Sequence, residues 1–187
     1  SSGGGGDDGG TTHVSAMDND GNMVCGTISG GAFAKSAFFP ELGCALSTRI
    51  EMFNCTPGHP NVVEPGKRPR TTLVNYIVSK DGRPQWTVGC PGGDHQAQAN
   101  LQLILNTLLF GMNPQEAVEH PRVATRSAPN SFEPHTAEPG KINLESRLPA
   151  ATGDQLEQWG HDVDWWPEAS WRAGSVCMIK ADQKTGV

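Results

Sequence analysis

The sequence predicts an α+β chain in which helices lie on an antiparallel sheet. Two hairpins carry that reading. Alternating segments flank Asp20-Gly21, and a second pair flanks the turn around Asp81-Gly82. Between residues 95 and 110, leucines recur at helical spacing, and such a helix needs a sheet face to cover.

The first hairpin is expected over Thr12–Asp18 and Asn22–Ser29, the second over residues 71–79 and 85–90. Pro91-Gly92-Gly93 closes the last of these strands. Asp94 then stands at a helix N-cap position, and Gly111 stops the helix that follows. Leu101, Ile104, Leu105, Leu108 and Leu109 mark its expected inward face. A short helix, Asn113–Glu119, carries Pro114 at its first position. Further expectations are a strand at Lys141–Leu144, a helix at Ala150–Trp159 and a last strand over 175–182, entering a turn at 184–186. Pro and Gly make residues 30–70 irregular, and 121–140 read as loop.

Hydrophobic residues make up 36% and charged residues 18%, with 23 Gly and 14 Pro. That balance means many turns and argues against a helical bundle. The net charge of −6 disfavours a nucleic-acid partner. No apolar run approaches the roughly 20 residues of a membrane span, and no secretory leader pattern opens the chain. Five scattered cysteines argue against a disulfide scaffold or a structural zinc site, and six histidines without HxH or HxxxH spacing argue against any metal. Trp159, Trp165, Trp166 and Trp171 suggest packing or a subunit contact. Residues 1–10 read as a flexible Gly-rich segment, so the globular region is expected over 11–187. Both ends look cut, which suggests a piece of a longer gene product.

Three places could hold chemistry. Thr11, at the start of a strand after glycines, is an ordinary strand residue or an N-terminal nucleophile. In the second case its own freed α-amine would serve as the base. Gly92-Gly93, between strand and helix, is a tight turn or a pair of N–H donors for an oxyanion. Lys67, Arg68 and Arg70 beside Thr71 and Thr72 form a solvated basic turn or a carboxylate site.

Four ordered segments resemble the small subunit of the γ-glutamyltranspeptidases, a branch of the N-terminal nucleophile hydrolases. They are TTHVSAMDNDGNMV at 11–24, PGKRPRTTL at 65–73, GCPGGDHQAQANLQLILN at 89–106 and FGMNPQEAVEHPR at 110–122. The resemblance implies a four-layer αββα sandwich, of which this chain supplies roughly the small-subunit half. It implies self-cleavage of the Gly10–Thr11 bond, with Thr11 as nucleophile. Ser29, eighteen residues on, would be the second hydroxyl that bonds the nucleophile. Gly92 and Gly93 would be the oxyanion donors. Thr71 and Thr72 stand where the family's two serines bind the substrate α-carboxylate. The implied activity is transfer or hydrolysis of glutathione-type γ-glutamyl amides through an acyl-enzyme. No cofactor or metal is implied. The implied partner is a large subunit from the same precursor, in a periplasmic or extracellular setting, with the cytoplasm as alternative.

The departures concern the ammonium of the glutamyl group. Gly31 replaces a family Asn, and Met52 falls where the family has an ammonium-binding Asp. Glu51 is next door, but neighbours on a strand would point to opposite faces. Arg49 suits a substrate carboxylate instead. Two alternatives therefore stand: an acylase for non-glutamyl amides of the glutaryl or cephalosporin type, and an unprocessed, non-catalytic homologue.

Overall fold

The computed structural model describes residues 10–31 and 36–182; the Gly-rich start before Gly10 and the expected turn at 184–186 lie outside the described residues. In chain order the strands are β1 (Thr11–Met17), β2 (Met23–Ser29), the two-residue β3 (Phe38–Phe39) and β4 (Cys44–Ala45), β5 (Asn75–Lys80) and β6 (Arg83–Gly89). Helices α1 (His95–Leu108) and α2 (Pro114–Glu119) follow, then β7 (Val123–Thr125), β8 (Lys141–Glu145), α3 (Ala150–Gln158), β9 (Asp162–Trp166) and β10 (Cys177–Lys180).

Strands β1 and β2 pair antiparallel from Thr11↔Ser29 to Met17↔Met23. The Asp18 carboxylate ties their turn by accepting from the N–H groups of Asp20 and Asn22. The second sheet has the order β10-β6-β5, all antiparallel. Its β5–β6 hairpin starts at Asn75, so Thr71–Val74, expected to belong to the first of these strands, lie outside the ladder.

Successive residues of a strand face opposite ways, and β6 uses both sides. Val88 points into a buried cluster with Leu103 of α1 and Ala117 of α2. Gly89 points the other way, against the imidazole of His13 in β1. The β1–β2 hairpin, the β10-β6-β5 sheet and helices α1 and α2 thus pack in that order, and β7, β8 and β9 form a separate sheet beside α1, in a mixed α+β arrangement.

Helix α1 packs on a face that only partly follows its leucines: Leu103 is fully buried and Ile104 packs against the same cluster. Leu101, Leu108 and Leu109 are 55%, 58% and 71% exposed, whereas Gln96 and Asn100 are fully buried. The reason is hydrogen bonding, because a buried amide is tolerated when its donors and acceptors find partners. Gln98 and Gln102 each accept from and donate to the backbone of Thr125 and Val123 respectively. Residues i and i+4 of a helix lie about 5–6 Å apart, close to the two-residue repeat of a strand. Two glutamines therefore pair with β7 much as a neighbouring strand would. Gln96 Oε1 accepts the Val74 N–H and Asn100 Nδ2 donates to the Val74 carbonyl, one bond each, while Gln96 Nε2 and Asn100 Oδ1 are buried without a partner among the described residues.

Residues 121–140, expected to be loop, contain β7, which pairs antiparallel with β8. Strand β9 is a further element beyond the sequence expectation, and it runs parallel to β8. A parallel neighbour needs a crossover, and α3 supplies it. Gly153 of α3 leaves room for Trp165 of β9, whose Cζ2 would lie 2.5 Å from any added Cβ. The α2 start carries a capping box between Asn113 and Glu116, with Pro114 in the first turn as expected.

Candidate active site

Thr11 opens β1, and the ladder sets it opposite Ser29 at the end of β2. Its Oγ1 donates to Ser29 Oγ at 2.8 Å, and Ser29 Oγ also accepts the Gly31 N–H at 3.1 Å. Two hydroxyls that share a bond can reverse it by rotation. Ser29 thus fixes the direction of the Thr11 oxygen.

His13 lies two residues along the same strand face. Its Nδ1 meets Thr27 Oγ1 at 2.8 Å and its Nε2 meets Ser15 Oγ at 2.9 Å. Burial pushes its pKa below the usual imidazole range. A Cβ on Gly89 would fall on this ring, so the absence of a side chain there lets β1 seat against the C-terminal end of β6. From that end the chain turns at Gly92-Gly93. Both glycines have positive φ, +129° and +56°, a backbone that other residues rarely adopt. Neither N–H bonds an acceptor among the described residues.

The segment around Arg49 bridges these parts. Within the stretch expected to be irregular it is a 3-10 turn, Arg49–Met52, so the strand geometry invoked against Glu51 does not apply. In such a turn residues i and i+3 eclipse. Arg49 and Met52 share one side, with Nη1 donating to Sδ at 3.2 Å. Thr48 and Glu51 share another, with Thr48 Oγ1 donating to Glu51 Oε1 at 3.1 Å. A Cβ on Gly31 would fall on that Thr48 hydroxyl. The strand-based objection to Glu51 is thereby removed: its carboxylate is one hydroxyl away from Gly31, while Met52 is fully buried.

Arg49 Nη1 donates to Thr72 Oγ1 at 3.4 Å, and its guanidinium lies 5.9 Å from the centre of the Phe132 ring. Its Nε is buried without a partner among the described residues. Burial lowers the Arg49 pKa, and neighbouring Glu51 opposes that shift. The structure thus brings Arg49 and Thr72 together. Thr71 is exposed, and its hydroxyl accepts the Leu73 N–H at 3.1 Å.

Sequence reasoning missed Phe132, Ser131, Thr48 and the real use of Asp94. Phe132 borders the Gly92-Gly93 turn, its Cε2 3.3 Å from where a Gly93 Cβ would be. Asp94 does not cap α1 with its side chain; its carboxylate accepts from Ser131. No local pattern marks residues 131 and 132, which sit in a stretch without periodicity.

The arrangement offers a paired hydroxyl nucleophile, two open N–H groups and a cation with a hydroxyl for a carboxylate. A family profile described as Gamma-glutamyltranspeptidase matches residues 2–187. The chain belongs to the gamma-glutamyltranspeptidase family.

Among curated relatives, this gamma-glutamyltranspeptidase-family chain is 37% identical over 180 residues to a glutathione hydrolase proenzyme of Bacillus subtilis subsp. natto. That match covers 96% of the chain and 28% of the relative. It is 33% identical over 160 residues to the Acylase ACY 1 proenzyme of Pseudomonas sp. (strain SE83), covering 85% of the chain and 26% of the relative. The chain therefore spans little more than a quarter of the length of these proenzymes. Among solved structures, a variant of LmbA2991 superposes with TM-score 0.87 at 36% identity, covering 94% of this chain and 31% of that one. Gamma-glutamyltranspeptidase from Pseudomonas nitroreducens superposes with TM-score 0.77 at 25% identity, covering 94% of this chain and 91% of that one. The mixed α+β arrangement is thus shared with solved members of the family. No helix among the described residues is long and apolar enough to cross a membrane.

Proposed function

We propose that this chain carries the nucleophile half of an enzyme that transfers or hydrolyses γ-glutamyl amides of the glutathione type. The observation that supports this most is the 2.8 Å bond between Thr11 and Ser29 at the mouth of the β1–β2 hairpin. In the precursor, Thr11 Oγ attacks the Gly10 carbonyl carbon and the peptide bond becomes an ester. Water opens the ester, leaving a carboxylate on Gly10 and a free α-amine on Thr11.

That amine then takes the Oγ proton as Thr11 attacks the substrate amide. The negative charge developing on the carbonyl oxygen faces the Gly92 and Gly93 N–H groups, which are positioned in advance of the reaction. The proton passes to the leaving amine, and the acyl group stays on Thr11 as an ester. Water or an acceptor amine releases it. Thr72, with Thr71 and Arg49, holds a carboxylate of the acyl group. The large subunit from the same precursor completes the site. The direct test is whether purified protein turns over a γ-glutamyl anilide and loses that activity in Thr11→Ala.

A second reading is favoured by a particular feature, and relatives include an acylase. Gly31 has no room for a family-type Asn, because Thr48 fills the place, and Met52 is buried against Arg49. The pocket has a cation, Met52 replaces the family's acid, and the nearby Glu51 carboxylate is bonded by Thr48, so the site suits an anionic acyl group without an α-amine. A glutaryl anilide in parallel separates the two.

A further inference from the structure

We propose that Asp94 is a positioning residue of this site, one carboxylate that sets both the oxyanion turn and the segment binding the acyl carboxylate. The inference rests on the acyl-transfer reading above. Asp94 follows Gly93 directly, at a position from which an Asp side chain ordinarily caps the helix. Here the side chain makes no capping bond. Its Oδ2 accepts the Ser131 N–H at 2.8 Å and its Oδ1 accepts the Ser131 hydroxyl at 2.5 Å. Arg70 Nη2 lies 3.5 Å from the same Oδ1.

Each partner leads to a different part of the site. Ser131 is 1% exposed, and the next residue, Phe132, borders Gly93 and lies within cation–π reach of Arg49. Arg70 is followed by Thr71 and Thr72. The same segment is gripped two residues later by Gln96 and Asn100 of α1, on the backbone of Val74. The first turns of α1 therefore hold the acyl-carboxylate segment from two points, and Asp94 alone also reaches the loop that covers the oxyanion turn.

This matters because Gly92 and Gly93 are soft. Glycine has no preferred sign of φ, so the direction of two free N–H groups depends on what flanks them. Without the Asp94 carboxylate, Ser131 loses two bonds, Phe132 is no longer held on Gly93, and Arg70 is released. A displacement of about 1 Å at a reacting centre costs about 10²-fold in rate.

The experiment uses the full-length protein with γ-glutamyl and glutaryl p-nitroanilides. It measures kcat per active site, titrated with a covalent inhibitor, together with KM and melting temperature. Asp94→Ala is expected to lower kcat about 10²-fold and to raise KM for both probes. Asp94→Asn keeps one acceptor for the Ser131 N–H and loses the charge facing Arg70; it should recover part of kcat. Ser131→Ala should fall between wild type and Asp94→Ala. A merely structural aspartate would reduce the number of titratable sites and leave kcat per site and KM unchanged, which overturns the proposal. Should Asp94→Ala fail to fold, Ser131→Ala decides, because an unchanged kcat per site there has the same meaning. Wild-type protein that turns over neither probe overturns the acyl-transfer reading, and the role of Asp94 with it.

Discussion

His13 and Gly89 meet across the two β layers, with the imidazole resting where a Cβ on Gly89 would have to be. Gly89→Ala should therefore push β1 away from β6. Overpacking a tight contact costs about 1–3 kcal/mol, and the melting temperature should fall accordingly. Processing at Thr11 should slow with it, because Thr11 rides on the displaced strand. Combining Gly89→Ala with His13→Ala should restore part of the loss in stability. A single Gly89→Ala variant with unchanged melting temperature and processing contradicts this contact.

Gly93→Ala should reduce turnover more than stability. The position has φ +56°, and Phe132 lies 3.3 Å from the added methyl. A left-handed backbone costs a residue with a Cβ roughly 1–2 kcal/mol. Tilting the N–H away from the oxyanion costs more in rate, typically ~10²–10³-fold for one lost donor. The check is kcat beside a denaturation curve. A normal rate with collapsed folding makes the turn structural only.

The acid side of the stability profile should depend on His13. Burial lowers the pKa of His13. Burial also lowers that of His95, with Arg126 adding to the effect and Asp94 opposing it. A group with a depressed pKa binds its proton more readily in the unfolded chain, so stability rises with pH between the folded and unfolded values. The contribution of these two histidines is fully present above the unfolded value of about 6.5. It is lost as pH falls through their lowered folded values. His135 acts in the opposite sense. The Asn130 carbonyl chiefly raises its pKa, and the Phe53 carbonyl and Glu133 add to this. Its contribution is complete below about pH 6.5 and fades as pH rises through its raised folded value. Melting temperature measured from pH 7.5 down to 5 should fall less steeply in His13→Gln than in wild type. Identical slopes would show that His13 is not held neutral.

Acyl specificity should be broad toward the α-amine. Arg49 and Thr72 retain donors for a carboxylate, and Met52 offers no charge to an ammonium. An ammonium that loses water without gaining a partner is costly, so it should add little to binding here. The kcat/KM ratio of γ-glutamyl to glutaryl anilide is expected within about tenfold, a difference of ~1.4 kcal/mol. A preference of several hundredfold would assign the amine to Glu51, beside Gly31 through Thr48, or to a residue of the large subunit.

Several of these features were legible from residues alone. The hairpin around Asp20-Gly21 is one of them; the pairing of Thr11 with Ser29 is implied by the family resemblance, and the hairpin register explains why the two hydroxyls meet. Asn113, Pro114 and Glu116 announced α2, because a capping box is a local device. The face of α1 was not legible. Periodicity puts Leu101, Leu105, Leu108 and Leu109 inside, whereas here Leu103 and Ile104 share the inward face with Gln96 and Asn100, which bond the Val74 backbone. The parallel pairing of β9 with β8 was hidden because its register is set across α3 and not by a local turn. Glu51 was judged on strand geometry, and the 3-10 turn that holds it follows another period. Ser131 reaches the site through Asp94, 37 residues earlier, and Phe132 through Gly93 and Arg49, distances over which sequence pattern carries no signal.

The central claim is that Thr11 becomes an N-terminal nucleophile, and N-terminal sequencing of the purified full-length protein tests it most directly. The account predicts two chains, the shorter beginning Thr-Thr-His-Val, and a single uncut chain in Thr11→Ala. A wild-type protein that stays whole, or that splits at a bond other than Gly10–Thr11, would contradict it.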